Sequence, residues 1–282
     1  MSIIPPPAPE PVPSVRDLLA FYREAGVDCA LGEAAMDRLA EQPLPAPAMR
    51  ERAAAAPLPP AAGLRPGTAP GAAMPAAPEA AIASAREAAR TAPTLEALRA
   101  LLAEFDGCGL KATATRLVFA DGNPQARVMF VGEAPGRDED LSGLPFVGRS
   151  GKLLDLMLRA IGLDRTTAYI ANVIPWRPPG NRDPSPQETQ ICLPFIKRQI
   201  ELVDPDVLVC LGKPSSQAIL ELKDGIMRTR GRWRDYHTGT RTIRAMATFH
   251  PAYLLRQPIY KRMTWLDLRA IAKALHETAA PS

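Results

Sequence analysis

The sequence predicts an α/β fold in which helices cover both faces of a parallel sheet. Short apolar runs bounded by turn residues predict four buried strands, at residues 128–131, 169–174, 207–211 and 243–248. Patterns with helical spacing lie between these runs, for example at residues 151–161 and 186–203. Strands that alternate with helices in this way are typical of a parallel sheet with a helical layer on each side.

The N-terminal third of the chain does not follow this pattern. Residues 1–80 contain 16 of the 31 prolines, and so proline-rich a segment buries too little apolar surface to fold compactly. Within it, residues 14–26 predict a short helix capped by Ser14, and residues 42–80 predict a flexible or polyproline linker. We therefore expect a Pro/Ala-rich extension over residues 1–94 and an ordered domain over residues 95–282.

Charge is unevenly distributed along the chain. The formal net charge is +4, but residues 226–282 hold 11 Lys and Arg against 3 Asp and Glu. Nucleic acid is the commonest partner of such a one-sided basic surface. A solvated basic face is the alternative, and charge alone does not decide between them.

Several classes of protein are excluded by what the sequence lacks. It has no apolar run of 18 residues that would predict a membrane span, and its start lacks the basic and apolar regions of a signal peptide. Its four cysteines are too scattered for a disulfide framework. We expect a cytoplasmic protein that does not bind membranes.

Loops of unusual composition follow all four predicted strands, at residues 132–151, 175–186, 212–218 and 250–256. Open α/β sheets bind ligands beyond the carboxyl ends of their strands. The first loop lacks the glycine spacings of a phosphate cradle. It holds four acids instead, which suit a cation or an oriented water, although a solvated acidic turn is the alternative: Glu133, Asp138, Glu139 and Asp140.

Two side chains in or beside these loops could bind a nucleobase. Phe146 could supply a stacking surface, worth about 1–3 kcal/mol per base, or it could simply fill the core. Asn172 lies within an apolar strand, and its amide complements the O4 and N3–H edge of uracil, although a structural asparagine is the ordinary interpretation.

The loop after the fourth strand, HPAYLLR, combines His250 with apolar and basic side chains. Apolar wedges beside basic residues open a DNA duplex and replace an extruded base; the alternative is a helix start with a capping histidine and two core leucines. With neighbouring residues and the loop after the third strand, the predicted DNA contacts are Pro251, Leu254, Leu255, Arg256, Lys261, Lys213 and Ser215.

Taken together, four segments resemble the family 4 uracil-DNA glycosylases: GEAPGRDEDLSGLPFVGRSGKLLD, YIANVIPWRPPGNRDPSPQE, LVCLGK and ATFHPAYLLR. The resemblance covers residues 105–275. It implies a three-layer α/β/α fold with a four-stranded parallel sheet, and an enzyme that flips a deoxyuridine out of DNA and removes its base.

The resemblance also implies the residues of the site. Phe146 would stack on uracil, Asn172 would bind its Watson–Crick edge, and His250 would bond O2 together with backbone amides of Gly132 to Ala134. The aspartate that activates water in family 1 corresponds to Ala134 here. Glu133 or Glu139 would therefore hold the attacking water and stabilise the sugar cation.

The chain departs from the family at the iron–sulfur cluster. The family usually ligates a four-iron four-sulfur cluster with four cysteines, but here Phe105 and Trp176 occupy two of those positions and only Cys108 and Cys192 remain. Two thiolates cannot hold such a cluster in the ordinary way. We expect no cluster, no other cofactor and no metal, with the two rings packed in its place.

The predicted function is a monofunctional glycosylase that hydrolyses the N-glycosidic bond of uracil in DNA and leaves an abasic site. The alternatives are a damage-binding protein without turnover, a glycosylase for another deaminated base, and an interaction module whose Pro/Ala-rich arm recruits partners. The expected partner is uracil-containing DNA, bound by a monomer, with the arm as a candidate segment for protein partners.

Overall fold

A computed structural model describes residues 78–277 of the chain. Its sheet has six strands in the order β1-β3-β2-β4-β6-β5. The strands are β1 (Asp121–Gly122), β2 (Val128–Gly132), β3 (Tyr169–Asn172), β4 (Val207–Leu211), β5 (Trp233–His237) and β6 (Thr242–Thr248). The four middle strands, β3, β2, β4 and β6, run parallel, which confirms the predicted α/β fold with its four parallel strands.

Helices cover both faces of this sheet. They are α1 (Pro78–Thr91), α2 (Leu95–Glu104), α3 (Arg137–Ser142), α4 (Arg149–Arg159), α5 (Pro186–Val203), α6 (Lys213–Leu220), α7 (Ile226–Thr229), α8 (Pro251–Arg256) and α9 (Lys261–Glu277). Alternate residues of β2 enter different cores: Met129 packs with residues of α1, α2 and α5, whereas Phe130 packs with residues of α4 and α9. Because successive strand residues point to opposite faces, the sheet separates two hydrophobic layers.

The two edge strands, β1 and β5, were not predicted. Both pair antiparallel with their neighbours, β1 with β3 and β5 with β6. Strand β5 is half exposed and largely polar, and its Trp233 ring lies 4.3 Å from the guanidinium carbon of Arg244. An edge strand exposed on one side lacks the continuous apolar run by which buried strands are recognised.

The folded domain begins before residue 95. Helix α1 packs against α5, and its residues Ala81, Ala85 and Ala89 are buried. Helix α1 precedes the boundary predicted at residue 94, and its alanine face packs against α5. The helix predicted at residues 14–26 and nearly all of the predicted linker lie outside the described residues.

Among the described residues, no helix combines the length and the apolar character needed to cross a membrane.

The positions at which the family places its cluster ligands are filled by side chains. Trp176 is 2% exposed, and the ring of Phe105 packs edge-on against Phe195 with 5.0 Å between centroids. The thiol of Cys192 donates to Cys108 across 3.8 Å, and both side chains are buried. Two thiols and two aromatic rings that offer no ligand atom do not fit a cluster that needs four thiolates.

We predict that protein purified under anaerobic conditions, or treated with iron and sulfide, holds no stoichiometric iron. Metal analysis, acid-labile sulfide and the visible absorption of the cluster would measure this. About four irons per chain would contradict the packing interpretation.

Candidate active site

The loops after β2, β3 and β6 enclose a cavity of about 340 Å³ at the carboxyl edge of the sheet, and the loop after β4 contributes no residue to its lining. A cavity of about 600 Å³ lies elsewhere, lined by side chains such as Arg86, Arg198 and Arg234, and contains none of the predicted site residues. The smaller cavity is therefore the candidate active site, because predicted residues from two loops and from the end of β3 converge on it: Glu133, Ala134, Glu139, Phe146, Asn172, His250 and Arg256.

The inner wall of this cavity depends on Gly132 at the end of β2. Parallel pairing of β2 with β3 sets Gly132 beside Asn172. A Cβ atom at position 132 would lie 2.4 Å from the Asn172 Oδ1 and 2.6 Å from the Phe146 Cζ. Only glycine leaves room for both side chains.

Asn172 supplies a polar group without a partner. The side chain is 5% exposed, and its Oδ1 is buried with no hydrogen bond from any described residue. Buried acceptors are nearly always paired, because an unpaired one costs about 1–3 kcal/mol. An unpaired oxygen on the wall of a cavity indicates a place for a ligand that donates a hydrogen bond.

Two rings form another wall. Phe146 is 4% exposed, and its ring stacks on that of His250 with 5.4 Å between centroids and 30° between planes. Phe146 has a φ of 55°, in the left-handed region that residues other than glycine rarely adopt. Strain of this kind, worth about 1–3 kcal/mol, is typical of functional sites.

His250 is held in one protonation state and one orientation. It caps α8, and its Nδ1 accepts a hydrogen bond of 3.1 Å from the Ala252 amide. Burial, and then the positive charge of Arg256, lower the pKa of His250 to about 4. The neutral ring must therefore carry its proton on Nε2, which makes that atom a hydrogen-bond donor.

Glu139 is engaged with the backbone. Its Oε1 accepts from the Val147 and Gly148 amides at 3.1 and 3.0 Å, and its Oε2 accepts from the Gly136 amide at 3.0 Å. These bonds join Gly136, just before α3, to Val147 and Gly148, just after Phe146. The carboxylate predicted to be catalytic therefore holds together the two segments that flank α3.

Glu133 has the opposite surroundings. It lines the cavity and is partly exposed, and no described residue donates a hydrogen bond to its carboxylate. Burial, and then the negative charge of Asp183, raise the pKa of the Glu133 carboxyl above its usual value. Of the two predicted glutamates, Glu133 alone is free to bind a water in the cavity.

The predicted DNA contacts divide between the surface and the core. Lys213, Leu255, Arg256 and Lys261 are exposed. Pro251 is buried, Leu254 is 1% exposed within the core, and the buried hydroxyl of Ser215 donates to the Leu211 carbonyl. Only the exposed members present side chains to a partner in this structure.

Sequence reasoning missed basic and acidic residues beside the cavity. Arg137 and Arg149 join Arg256 around an adjoining cavity of about 430 Å³. Arg182 and Asp183, from the loop after β3, line the candidate active site itself. The position of this loop after a strand was a signal, but nothing in its sequence singled out individual residues.

Comparison with known proteins supplies the family. The sequence model of the Uracil DNA glycosylase superfamily matches residues 119–269. A type-4 uracil-DNA glycosylase of Archaeoglobus fulgidus is 43% identical over 170 residues, which cover 59% of this chain and 85% of that protein. A type-4 uracil-DNA glycosylase of Thermotoga maritima is 44% identical over 150 residues, covering 53% and 77% respectively.

A third relative, the type-4 uracil-DNA glycosylase of Sulfurisphaera tokodaii, is 37% identical over 183 residues, covering 63% of this chain and 83% of that protein. The region that the family model matches includes every residue that lines the 340 Å³ cavity, from Glu133 to Arg256. The chain therefore belongs to the uracil-DNA glycosylase superfamily, as a member of family 4.

Proposed function

We propose that this chain excises uracil from DNA by hydrolysing the N-glycosidic bond of an extruded deoxyuridine, which leaves an abasic site. The buried, unpaired Oδ1 of Asn172 carries the proposal. Uracil offers a donor at N3 and an acceptor at O4, which match the oxygen and the nitrogen of one side-chain amide. The ring of Phe146 provides the stacking surface for the same base.

The same amide excludes cytosine. Cytosine has an acceptor at N3 and an amino donor at C4, so it would set acceptor against acceptor and donor against donor. A site built to satisfy buried polar groups rejects a base that leaves them unpaired. Asn172 thus makes the distinction between the deaminated base and the normal one.

His250 stabilises the leaving group. When the bond from C1′ to N1 breaks, its electron pair leaves with the base, and negative charge develops on O2. A neutral Nε2–H donor fixed in place by the Ala252 amide can bond that oxygen without prior deprotonation or reorientation.

Glu133 acts on the sugar. Breaking the bond leaves an oxocarbenium-like deoxyribose, which a nearby carboxylate stabilises electrostatically. The free carboxylate of Glu133 also holds the water whose oxygen attacks C1′, and accepts its proton. Asp183 adds a second negative charge at the same wall.

The DNA backbone lies across the basic rim of the cavity. Arg137, Arg149 and Arg256 surround the adjoining cavity, where they can bind phosphates. Leu255 is the exposed apolar side chain of the HPAYLLR loop, so it is the one that can enter the duplex.

Replacing Asn172 tests the base contact. We expect wild-type protein to release uracil over many turnovers from an oligonucleotide with one deoxyuridine, and Asn172→Ala to be at least ten-fold slower. Alkali cleavage of the abasic product measures both. Asn123→Ala is the matched control, because Asn123 lies in a turn where its Oδ1 accepts from the Gln125 amide. Binding without turnover by the wild type would instead support a damage-binding protein.

The two glutamates should respond differently to removal of their charge. Because Glu133 must be ionised, we expect kcat/KM of the wild type to fall as the pH drops through the raised pKa of this carboxyl. Glu133→Gln should slow the reaction and remove this fall in kcat/KM at low pH. Glu139→Gln should lower the free energy of unfolding by about 1–3 kcal/mol, because its amide has only one oxygen for three backbone donors. The fall in kcat/KM at low pH should persist in Glu139→Gln. The pH dependence of kcat/KM and denaturant unfolding, measured for both variants, make the comparison. Loss of the low-pH fall in kcat/KM in Glu139→Gln would assign the catalytic role to Glu139 and not to Glu133.

Neighbouring leucines give a third test. Leu255→Ala should slow excision from duplex DNA several-fold, with single-stranded DNA and thermal stability little changed, because the exposed side chain acts only in opening the duplex. Leu254→Ala should cost about 2–5 kcal/mol of unfolding free energy, as for a core leucine. Equal rates for Leu255→Ala and wild type on duplex DNA would rule out a wedge at this position.

A further inference from the structure

The strained backbone of Phe146 is held from outside the cavity. Its carbonyl oxygen accepts a hydrogen bond from Nη2 of Arg165, and the preceding Pro145 carbonyl accepts one of 3.2 Å from Nη1. Arg165 lies in the loop between α4 and β3, 19 residues away in sequence, and it does not line the cavity.

Two carboxylates fix the guanidinium of Arg165. Its Nε donates to Asp155 of α4 at 2.8 Å, and its Nη1 donates to Asp121 of β1. The three side chains are between 25% and 30% exposed. A planar guanidinium with five donors can serve two carboxylates and two carbonyls at once, which a lysine ammonium cannot do in the same geometry.

Helix α4 leaves no free space beside the Phe146 carbonyl. A Cβ atom at Gly151, in the first turn of α4, would lie 1.6 Å from the Phe146 oxygen, so the helix packs directly on this carbonyl. The next two amides are bound by Glu139. The left-handed conformation of Phe146 is therefore enclosed by α4, Glu139 and Arg165.

From these contacts we infer that Arg165, with Asp121 and Asp155, is the positioning residue that sets the stacking ring of Phe146 against the uracil. The inference rests on the proposed function, since it assigns a role to the surface on which the base stacks. Without the guanidinium, the Phe146 carbonyl loses its donor and the loop can relax to an unstrained φ, which turns the ring away from His250.

A double-mutant cycle tests whether Arg165 acts through Phe146. The variants are Arg165→Gln, Phe146→Ala and the pair, assayed for uracil release from a single-stranded oligonucleotide. We expect Arg165→Gln to lower kcat/KM about ten-fold, mostly through KM, because stacking binds the flipped base before and during bond cleavage alike. In the Phe146→Ala background the same change should cost less than about two-fold.

Arg198→Gln is the matched control. Arg198 also donates two hydrogen bonds to a backbone carbonyl, that of Ala92 at 3.1 and 2.8 Å, and pairs with Glu201, but it lies away from the cavity. We expect it to lower the melting temperature to a similar degree as Arg165→Gln and to leave kcat and KM unchanged.

The outcomes separate this inference from the proposed function. A ten-fold loss that persists in the Phe146→Ala background, or wild-type KM in Arg165→Gln, would overturn the role of Arg165 alone. No uracil release by the wild type would overturn the proposed function. If Arg165→Gln does not fold, Asp155→Asn replaces it, with a several-fold rise in KM that must disappear in the Phe146→Ala background.

Discussion

The absence of a side chain at Gly132 is the constraint on which the site depends. The register of β2 and β3 brings Gly132 beside Asn172, and any Cβ atom there would collide with both the amide and the ring of Phe146. The sheet thus provides a rigid wall on which an amide can remain unpaired until a base arrives. The helical layers on both faces of the sheet hold this register by burying β2 and β3 along their whole length.

Around this wall, the acidic side chains have different roles. In a single acidic turn, Glu139 binds three backbone amides, and Asp140 accepts from the Thr115 amide and hydroxyl and the Arg116 amide. The charges of Glu139 and Asp140 therefore stabilise the loop backbone. Glu133 has no such donors, so its negative charge remains available to a cationic sugar. The arrangement pairs a free carboxylate with a neutral histidine, which suits a reaction that separates a cation from an anion.

The sequence predicted the parallel strands and the convergence of their loops because buried strands carry continuous apolar runs and because parallel strands end at one edge. It did not separate Glu133 from Glu139, since only the folded backbone shows which of them meets three amides. Leu254 and Leu255 are adjacent in sequence, yet a helical turn directs one into the core and the other to solvent. Arg165 belongs to no motif, and its partners Asp121 and Phe146 lie 44 and 19 residues away.

A crystal structure of this protein with DNA that carries a non-hydrolysable deoxyuridine analogue would test the central claim most directly. The account predicts the uracil ring against Phe146, its N3 within about 2.7–3.2 Å of the Asn172 Oδ1, and its O2 at the same range from the His250 Nε2. A base bound elsewhere, for example in the cavity lined by Arg86 and Arg234, or an Asn172 amide with no contact to it, would contradict the account.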